Sequence, residues 1–262
     1  MSVVEITDKD RVTALLAPHK LELLEALDEN ILGIDGIVSV FCQEEEHPAN
    51  MVVVRWAQGS MGLRNIAHVF ARKLTDLEDV ISAVPTLNAQ YDAWVPFWAS
   101  PALGAKFQAE VQGAVALYRT DEKRLTQSPV TRQCVSVEDD RLVKPMFRKL
   151  ADDSPAYALP LKDKLASVAV VTHLREQHAR IQVYTVDDYR GRGFGRGVLT
   201  ALTDELLAMK IVPTIVVDLS NEAAVRMVEA AGYYQAASYL KTQLVPLTHV
   251  AAPGSLVQLG KK

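Results

Sequence analysis

The residues best suited to chemistry lie at positions 190–197, RGRGFGRG, which hold three arginines and four glycines in eight positions. A strand that turns directly into a helix leaves the first backbone N–H groups of the helix without partners, and glycines let an anion approach those groups closely. A helix terminus stabilises an anion by only about 0.3 to 2 kcal/mol. The charges of Arg190, Arg192 and Arg196 must therefore contribute. The segment predicts a site for a ligand with several phosphates.

Spacing separates the phosphate motifs that compete for this segment. A dinucleotide fingerprint, G-x-G-x-x-G, counted from Gly191 and Gly193 would place Arg196 where the third glycine belongs. A P-loop requires a Gly-Lys pair, and this segment contains none. The pattern [QR]-x-x-G-x-[GA] is satisfied by Arg190, Gly193 and Gly195.

With its surroundings, this pattern resembles the pyrophosphate loop of the GNAT superfamily of acyl-CoA-dependent N-acyltransferases. An apolar run, ARIQVYTV, leads into the loop, and NEAAVRMVEAAGYY follows later. That second segment has Asn221, Ala224, Gly232 and Tyr233 in the places of an N-x-x-A helix closed by Gly-aromatic. A solvated Arg- and Gly-rich turn is the alternative, which two linked motifs disfavour. The resemblance covers residues 131 to about 245, and DLSNEA loosely resembles the glycine N-acyltransferase-like branch.

The patterns and the resemblance together imply an α/β (α+β) fold. Residues 131–250 are expected to form a GNAT-like mixed, mostly antiparallel sheet flanked by helices. A smaller α/β domain of unassigned role precedes it at residues 1–130, with the boundary in the polar segment 119–131. In that first domain the spacing of LRNIAHVFARKL predicts a helix. A strand that the family requires is either hidden in AYALPL or missing, and no internal repeat is evident.

The resemblance implies that acetyl-CoA or another acyl-CoA is the cosubstrate. The fourth strand of the family parts from the fifth, and the gap admits the pantetheine arm. The residues implied in binding are Thr185 and Val186 through their backbones, Arg190, Gly191, Arg192, Gly193, Phe194, Gly195 and Arg196 in the loop, and Asn221.

Neither the family's usual base nor its usual acid is found in this sequence. Many members carry a glutamate on the fourth strand, where this chain has Arg180, and a tyrosine in the last helix, where it has Val228. The nearby candidates are Glu176, His173 and His178 as the base, and Tyr233 or Tyr234 as the acid. A His or Glu in a turn is usually solvated, and Tyr233 matches a residue that packs in the core. Tyr234 would point the other way on a strand. Glu176, His178 and Tyr234 are kept as the catalytic candidates.

Bulk composition limits the partners. The net charge of −4 argues against a general nucleic-acid binder. Two cysteines without ligand spacing predict neither a disulfide framework nor a metal site. The N-terminus lacks the pattern of a secretory signal, and no apolar run reaches about 20 residues. We expect a cytoplasmic protein that contacts no membrane.

The first functional hypothesis is an N-acyltransferase that moves an acyl group, with acetyl favoured, from acyl-CoA to a primary amine by direct attack. A small-molecule amine is the expected acceptor, and residues 1–130 form part of its pocket or a homodimer surface. The alternative is a GNAT-like module that binds CoA or an acyl thioester with catalysis lost. A third hypothesis is recognition of a phosphorylated acyl-carrier partner.

Overall fold

A computed structural model describes the chain over residues 2–19, 37–45, 48–57, 64–86, 90–137, 143–147, 150–152, 154–162, 164–175 and 177–247. The chain divides into two compact units. The first unit contains residues 2–18, the described residues between 37 and 112, and residues 240–247; the second contains His19 and the described residues between 113 and 239. The predicted domains at 1–130 and 131–250 stay a prediction.

The second unit is built mainly from strands, and two of these strands are each followed by a helix. Its strands are β7 (Val135–Ser136), β8 (Ala156–Leu161), β9 (Lys164–Arg175), β10 (His178–Thr185) and β11 (Val212–Asp218). Residues 113–119 of β6 (Phe107–Arg119) also belong to this unit. Helix α3 (Phe194–Ala208) follows β10, and α4 (Glu222–Ala230) follows β11. Strand β12 (Tyr234–Pro246) begins in this unit and ends in the first.

The strands of the second unit follow the order β6-β11-β10-β9-β8-β7. Strands β10 and β11 are parallel, and the other neighbours in this order are antiparallel. The segment AYALPL forms β8, which is the strand that the sequence left in doubt. The mixed, mostly antiparallel α+β fold predicted from the sequence is confirmed.

Alternation of side chains explains how this sheet holds its helices. Alternate residues of β9, β10 and β11 enter one apolar cluster with the inner face of α3, where Val198, Leu199, Leu202 and Leu206 are fully buried. Those four residues recur at helical spacing. A second cluster on β8 and β9 includes Ala158, Val168 and Val170. Both faces of β9 are buried, one in each cluster, which explains why its sequence is a nearly continuous apolar run.

The first unit contains β1 (Val3–Ile6), α1 (Lys9–Leu16), β2 (Val38–Gln43), β3 (Asn50–Arg55), β4 (Asn65–Ala71), α2 (Leu77–Ala83) and β5 (Tyr91–Pro96). A 3-10 helix, Phe97–Ala105, leads from β5 into β6. The strand order is β1-β2-β3-β4-β5-β12, and β4 and β5 are the parallel pair.

The helix predicted for LRNIAHVFARKL is wrong, because residues 65–71 form β4. Ala67 and Val69 belong to the main apolar cluster of the first unit, whereas His68 stacks on Phe70 with ring centroids 4.3 Å apart. Both sets of alternating side chains are largely buried. Apolar residues at adjacent positions therefore masked the two-residue period of the strand and imitated a helical face.

Candidate active site

A gap opens between the two parallel strands of the second unit. Among the described residues, β10 and β11 pair at three positions, from His178 with Val212 to Arg180 with Thr214. Strand β10 continues to Thr185, and β11 continues to Asp218, paired only on its other edge with β6. The register of β10 against β9 also shifts between Arg180 and Ile181. The edge of β10 beyond residue 180 is thus open to an extended ligand that pairs with it as a strand would.

The glycine-rich loop connects this open edge to the start of α3. After a 3-10 turn at Asp187–Tyr189, Gly191 and Gly193 adopt left-handed backbone conformations with φ of 75° and 78°. A Cβ at either glycine would meet no described atom within 4 Å. The glycines are therefore required by their backbone conformation, and the space beside them is open.

Helix α3 begins directly at this loop. The amide of Gly197 donates to the carbonyl oxygen of Gly193 at 3.0 Å, which is the first hydrogen bond of the helix. The amides of residues 194–196 precede that bond, so the helix itself supplies them with no acceptor. They point out of the N-terminus, where the helix dipole favours an anion.

Gly195 has a different task from the two loop glycines. A Cβ there would lie 2.9 Å from the Sδ of Met227 and 3.1 Å from the Oγ1 of Thr185. The Thr185 hydroxyl is itself held at 2.7 Å from the hydroxyl of Ser167 on β9. Gly195 therefore lets the first turn of α3 approach the end of β10 closely.

The three arginines predicted for the loop have three different environments. Arg190 pairs with Asp187 at 2.7 Å, and its Nε donates to the Thr185 carbonyl oxygen at 3.3 Å. The guanidinium of Arg192 lies 5.7 Å from the ring centroid of Tyr189 and is exposed. These two side chains border the loop where phosphates would lie.

Arg196 holds a neighbouring segment in place. Its Nη2 donates to the carbonyl oxygens of Thr126 and Gln127 at 3.3 and 3.4 Å. The structure thus turns this side chain toward residues 126–127, while its backbone amide stays in the first turn of α3. The predicted contact of Arg196 with phosphate stays a prediction.

The remaining predicted binding residues flank the loop. Phe194 packs against the main apolar cluster of the second unit, with its ring 6.3 Å from that of Tyr189. The amide of Val186 donates to the carbonyl oxygen of Ala166 at 3.0 Å, and its carbonyl oxygen accepts from the amide of Tyr189 at 2.9 Å, so both backbone groups are bonded within the protein. Asn221 caps α4, because its Oδ1 accepts from the amide of Ala224 at 3.1 Å.

Of the three catalytic candidates, two lie among the described residues. Glu176 lies outside them. His178 is the first residue of β10 and is half-buried, at the end of the strand opposite to the glycine loop. Tyr234 opens β12, where its hydroxyl accepts a hydrogen bond from Arg119 Nε at 2.5 Å. The guanidinium of Arg124 lies 4.4 Å from the ring centroid of Tyr234.

Other candidates weighed from the sequence have structural roles. The hydroxyl of Tyr233 is buried at 2.6 Å from that of Thr203, and burial raises its pKa. Val228 is fully buried in the core against α3, so the place of the family's tyrosine is a packing position. His173 Nδ1 lies 3.1 Å from the hydroxyl of Thr172.

Two arginines in the sheet extend the site beyond the loop. Arg180 is 4% exposed and stands opposite Thr214 at the last pair before the gap, and Thr214 in turn stands opposite Arg119 on β6. Paired residues share a face of the sheet. Sequence reasoning located Arg180 through the motif but missed Arg119, because no local pattern links it to Tyr234.

No group of His, Cys, Asp or Glu among the described residues could hold a metal ion. In the same part of the chain, no helix combines the length and the apolar character needed to cross a membrane.

The gap and the loop together are typical of an α+β domain with room for an extended ligand that ends in phosphates. Residues 115–233 match the family described as the acetyltransferase (GNAT) family. This part of the chain is therefore a GNAT acetyltransferase domain, the type of domain found in acyl-CoA-dependent N-acetyltransferases. The loose resemblance to the glycine N-acyltransferase-like branch stays a prediction.

Solved structures with the same fold extend over nearly the whole chain. A GNAT-family acetyltransferase from Colwellia psychrerythraea is 13% identical, with 95% of this chain and 100% of that chain covered and a TM-score of 0.51. An N-acetyltransferase from Sphaerobacter thermophilus is 10% identical, with 93% and 95% covered and a TM-score of 0.55. A tandem GNAT protein from the clavulanic acid biosynthesis pathway is 11% identical, with 94% and 98% covered and a TM-score of 0.55. No curated protein matches the sequence.

Proposed function

We propose that this protein binds acyl-CoA, with acetyl-CoA as the favoured donor, in the gap beside β10 and in the glycine-rich loop, and transfers the acyl group to a primary amine on a small molecule. The observation that carries the proposal is the parting of β10 and β11 beyond Arg180, directly ahead of a left-handed Gly191–Gly193 loop. An extended arm and a pyrophosphate joined in one ligand match these two features together.

Each part of the donor has a counterpart in the chain. The pyrophosphate would accept hydrogen bonds from the amides of residues 194–196 and charge-assisted bonds from Arg190 and Arg192. The pantetheine amides would pair with the open edge of β10 between residues 181 and 185. That arrangement places the thioester near Arg180, at the closed end of the gap.

The transfer is a direct displacement at the thioester carbonyl. The amine nitrogen attacks the carbonyl carbon, an amide bond forms, and the C–S bond breaks. The amine gives up one proton, and the leaving CoA thiolate takes up one. A backbone N–H of β10 at the gap would stabilise the negative oxygen that develops on the carbonyl.

The proton steps depend on residues other than the family's usual pair. Arg180 stays protonated and cannot accept a proton from the amine. A thiolate with an ordinary pKa near 8.5 is a tolerable leaving group. Tyr234 is proposed as the acid, because its hydroxyl oxygen accepts from Arg119 while its own proton stays available to the thiolate. Glu176 and His178 are the proposed bases, because Glu176 comes shortly before β10 in the sequence and His178 is the first residue of that strand.

Calorimetric titration with acetyl-CoA, free CoA and ATP tests the binding step. We expect both CoA forms to bind and ATP not to bind, because only the CoA forms fill the gap as well as the loop. Absence of binding by both CoA forms would refute the proposal.

A thiol-release assay with acetyl-CoA and a panel of primary amines tests the chemistry. Tyr234→Phe keeps the ring beside Arg119 and Arg124 but removes the hydroxyl. We expect its kcat to fall about a hundredfold, in the range for loss of an acid group, with the KM for acetyl-CoA unchanged. An unchanged kcat would exclude Tyr234 as the acid. Binding of CoA without turnover of any amine would favour the module in which catalysis is lost.

A further inference from the structure

We infer that the first unit is a second copy of the acyl-CoA-binding fold whose phosphate loop is closed by its own side chains, so that the chain has a single acyl-CoA site. The inference rests on the proposed function for the second unit and extends it to the role of the first. It is carried by the order of elements, by one pair of matching backbone conformations, and by the hydrogen bonds of Asn50.

The two units repeat one order of elements. In each, a run of antiparallel strands leads to a strand that is followed by a helix and then by a parallel neighbour: β4, α2 and β5 in the first unit, and β10, α3 and β11 in the second. In each, the parallel pair begins at the start of the strands and ends before they do. Parallel strands are the minority in both, so they fix the correspondence.

The residue before the helix has the same backbone conformation in both units. Gly193 precedes α3 with φ of 78° and ψ of 5°, and Asp76 precedes α2 with φ of 64° and ψ of 0°. Left-handed conformations are uncommon for residues other than glycine, although aspartate tolerates them better than most. Asp76 thus occupies the place of Gly193, and it carries a carboxylate where the second unit has open space.

The connection ahead of this residue is also shorter in the first unit. Residues 72–76 join β4 to α2, whereas residues 186–193 join β10 to α3 and include a 3-10 turn. Helix α2 itself has seven residues. The first unit therefore has less loop with which to surround a pyrophosphate.

The side chain of Asn50 already uses the backbone of the short loop. Its Oδ1 accepts from the amides of Arg72 and Lys73 at 3.2 and 3.4 Å, and its Nδ2 donates to the carbonyl oxygen of Thr75 at 2.8 Å. Asn50 is 4% exposed. The amides of Arg72 and Lys73 are thereby bonded from within the protein, and the amide of Leu77, the first residue of α2, donates to the carbonyl oxygen of Leu74 at 3.2 Å.

Charge acts in the same direction. Asp76 pairs with Lys73 at 3.5 Å, and Glu78 and Asp79 stand in the first turn of α2. Carboxylates at a helix N-terminus take the place that an anionic ligand would need and repel it. In the second unit the corresponding helix start has Arg196 and no acidic residue in its first turn.

Calorimetric stoichiometry with acetyl-CoA on the full chain tests the inference. We expect one site per chain in the natural protein and in Asp76→Gly, with dissociation constants that agree within about threefold. Gly193→Asp places an aspartate in the second unit at the position that corresponds to Asp76 in the first. We expect it to weaken the binding of acetyl-CoA at least a hundredfold, and we expect no other site of natural affinity to remain on the chain. Gly193→Asn is the matched control, since it tolerates the same backbone conformation without the charge and should bind more tightly than the Asp variant.

Two results would overturn the inference. The first is a stoichiometry of two in the natural protein. The second is a Gly193→Asp variant that keeps one site of natural affinity and loses that site when Asp76→Lys is added. A thermal melt of each variant shows whether it is folded. Failure of the natural protein to bind acetyl-CoA at all would refute the proposed function and with it the single site, whereas a stoichiometry of two would refute only the closed loop of the first unit.

Discussion

Substitution of Gly195 by alanine tests the close approach of α3 to β10, on which the phosphate loop depends. The added Cβ would lie 2.9 Å from Met227 Sδ and 3.1 Å from Thr185 Oγ1, whereas ordinary contacts begin at 3.4 Å. The sulfur would have to retreat by about half an ångström, or the first turn of α3 would have to lift away. Met227 is flexible, but Thr185 is held by Ser167.

Two effects on stability oppose each other. Overpacking costs about 1 to 3 kcal/mol, while alanine in place of glycine in a helix gains about 0.5 to 1 kcal/mol. We expect a net loss of about 1 kcal/mol, which lowers the Tm by about 2 to 4 °C in a protein near this size. The effect on the ligand is larger, because a shifted first turn misaligns amides that bond a charged phosphate, and one such bond contributes about 1.5 to 3 kcal/mol. The dissociation constant of acetyl-CoA should rise about tenfold to a hundredfold.

Calorimetry with acetyl-CoA and a thermal melt measure both quantities on the same variant. Gly104→Ala is the control, because a Cβ at Gly104 meets no described atom within 4 Å. It should change neither the affinity nor the Tm by more than a small amount. A Gly195→Ala variant that binds acetyl-CoA as tightly as the natural protein would refute the argument that this contact positions the cradle.

Three further perturbations have expected outcomes. Gly232→Ala places a Cβ 1.9 Å from the backbone carbonyl oxygen of Arg124, at a φ of 90°; urea unfolding should show a loss of about 3 kcal/mol or more. Arg192→Gln should raise the dissociation constant of acetyl-CoA about fivefold and reduce its dependence on salt, both measured by titration at two ionic strengths. Burial raises the pKa of Tyr91 to about 12; since the unfolded phenol ionises near pH 10, the free energy of unfolding should fall from pH 10 to 12, and denaturant titrations of Tyr91→Phe should show a smaller fall.

The sequence was sufficient to locate the loop of the second unit, because the conformation of the loop depends on contiguous residues. Left-handed backbone at Gly191 and Gly193 and a helix that starts at residue 194 are local properties. A pattern of six residues could therefore predict them. The predicted roles of those residues toward acyl-CoA stay predictions.

The sequence misled at β4, where burial on both faces of the sheet hid the two-residue period. Strand β4 was predicted as a helix for this reason, and that error also concealed the repeat of strand, helix and parallel strand in the first unit. With β4 read as a helix, Asp76 had no visible correspondence to Gly193. The two share a backbone conformation but no sequence motif.

By itself, then, the sequence determined the glycine-rich loop and the α+β fold, because glycine spacing and apolar periodicity act over a few neighbouring residues. The tertiary structure alone decided which side chains meet. It set Arg119 against Tyr234 across 115 positions of the chain and Asn50 against residues 72–75. Pairing of distant strands creates such contacts, and the energy of a hydrogen bond depends on distance in space rather than on separation along the chain.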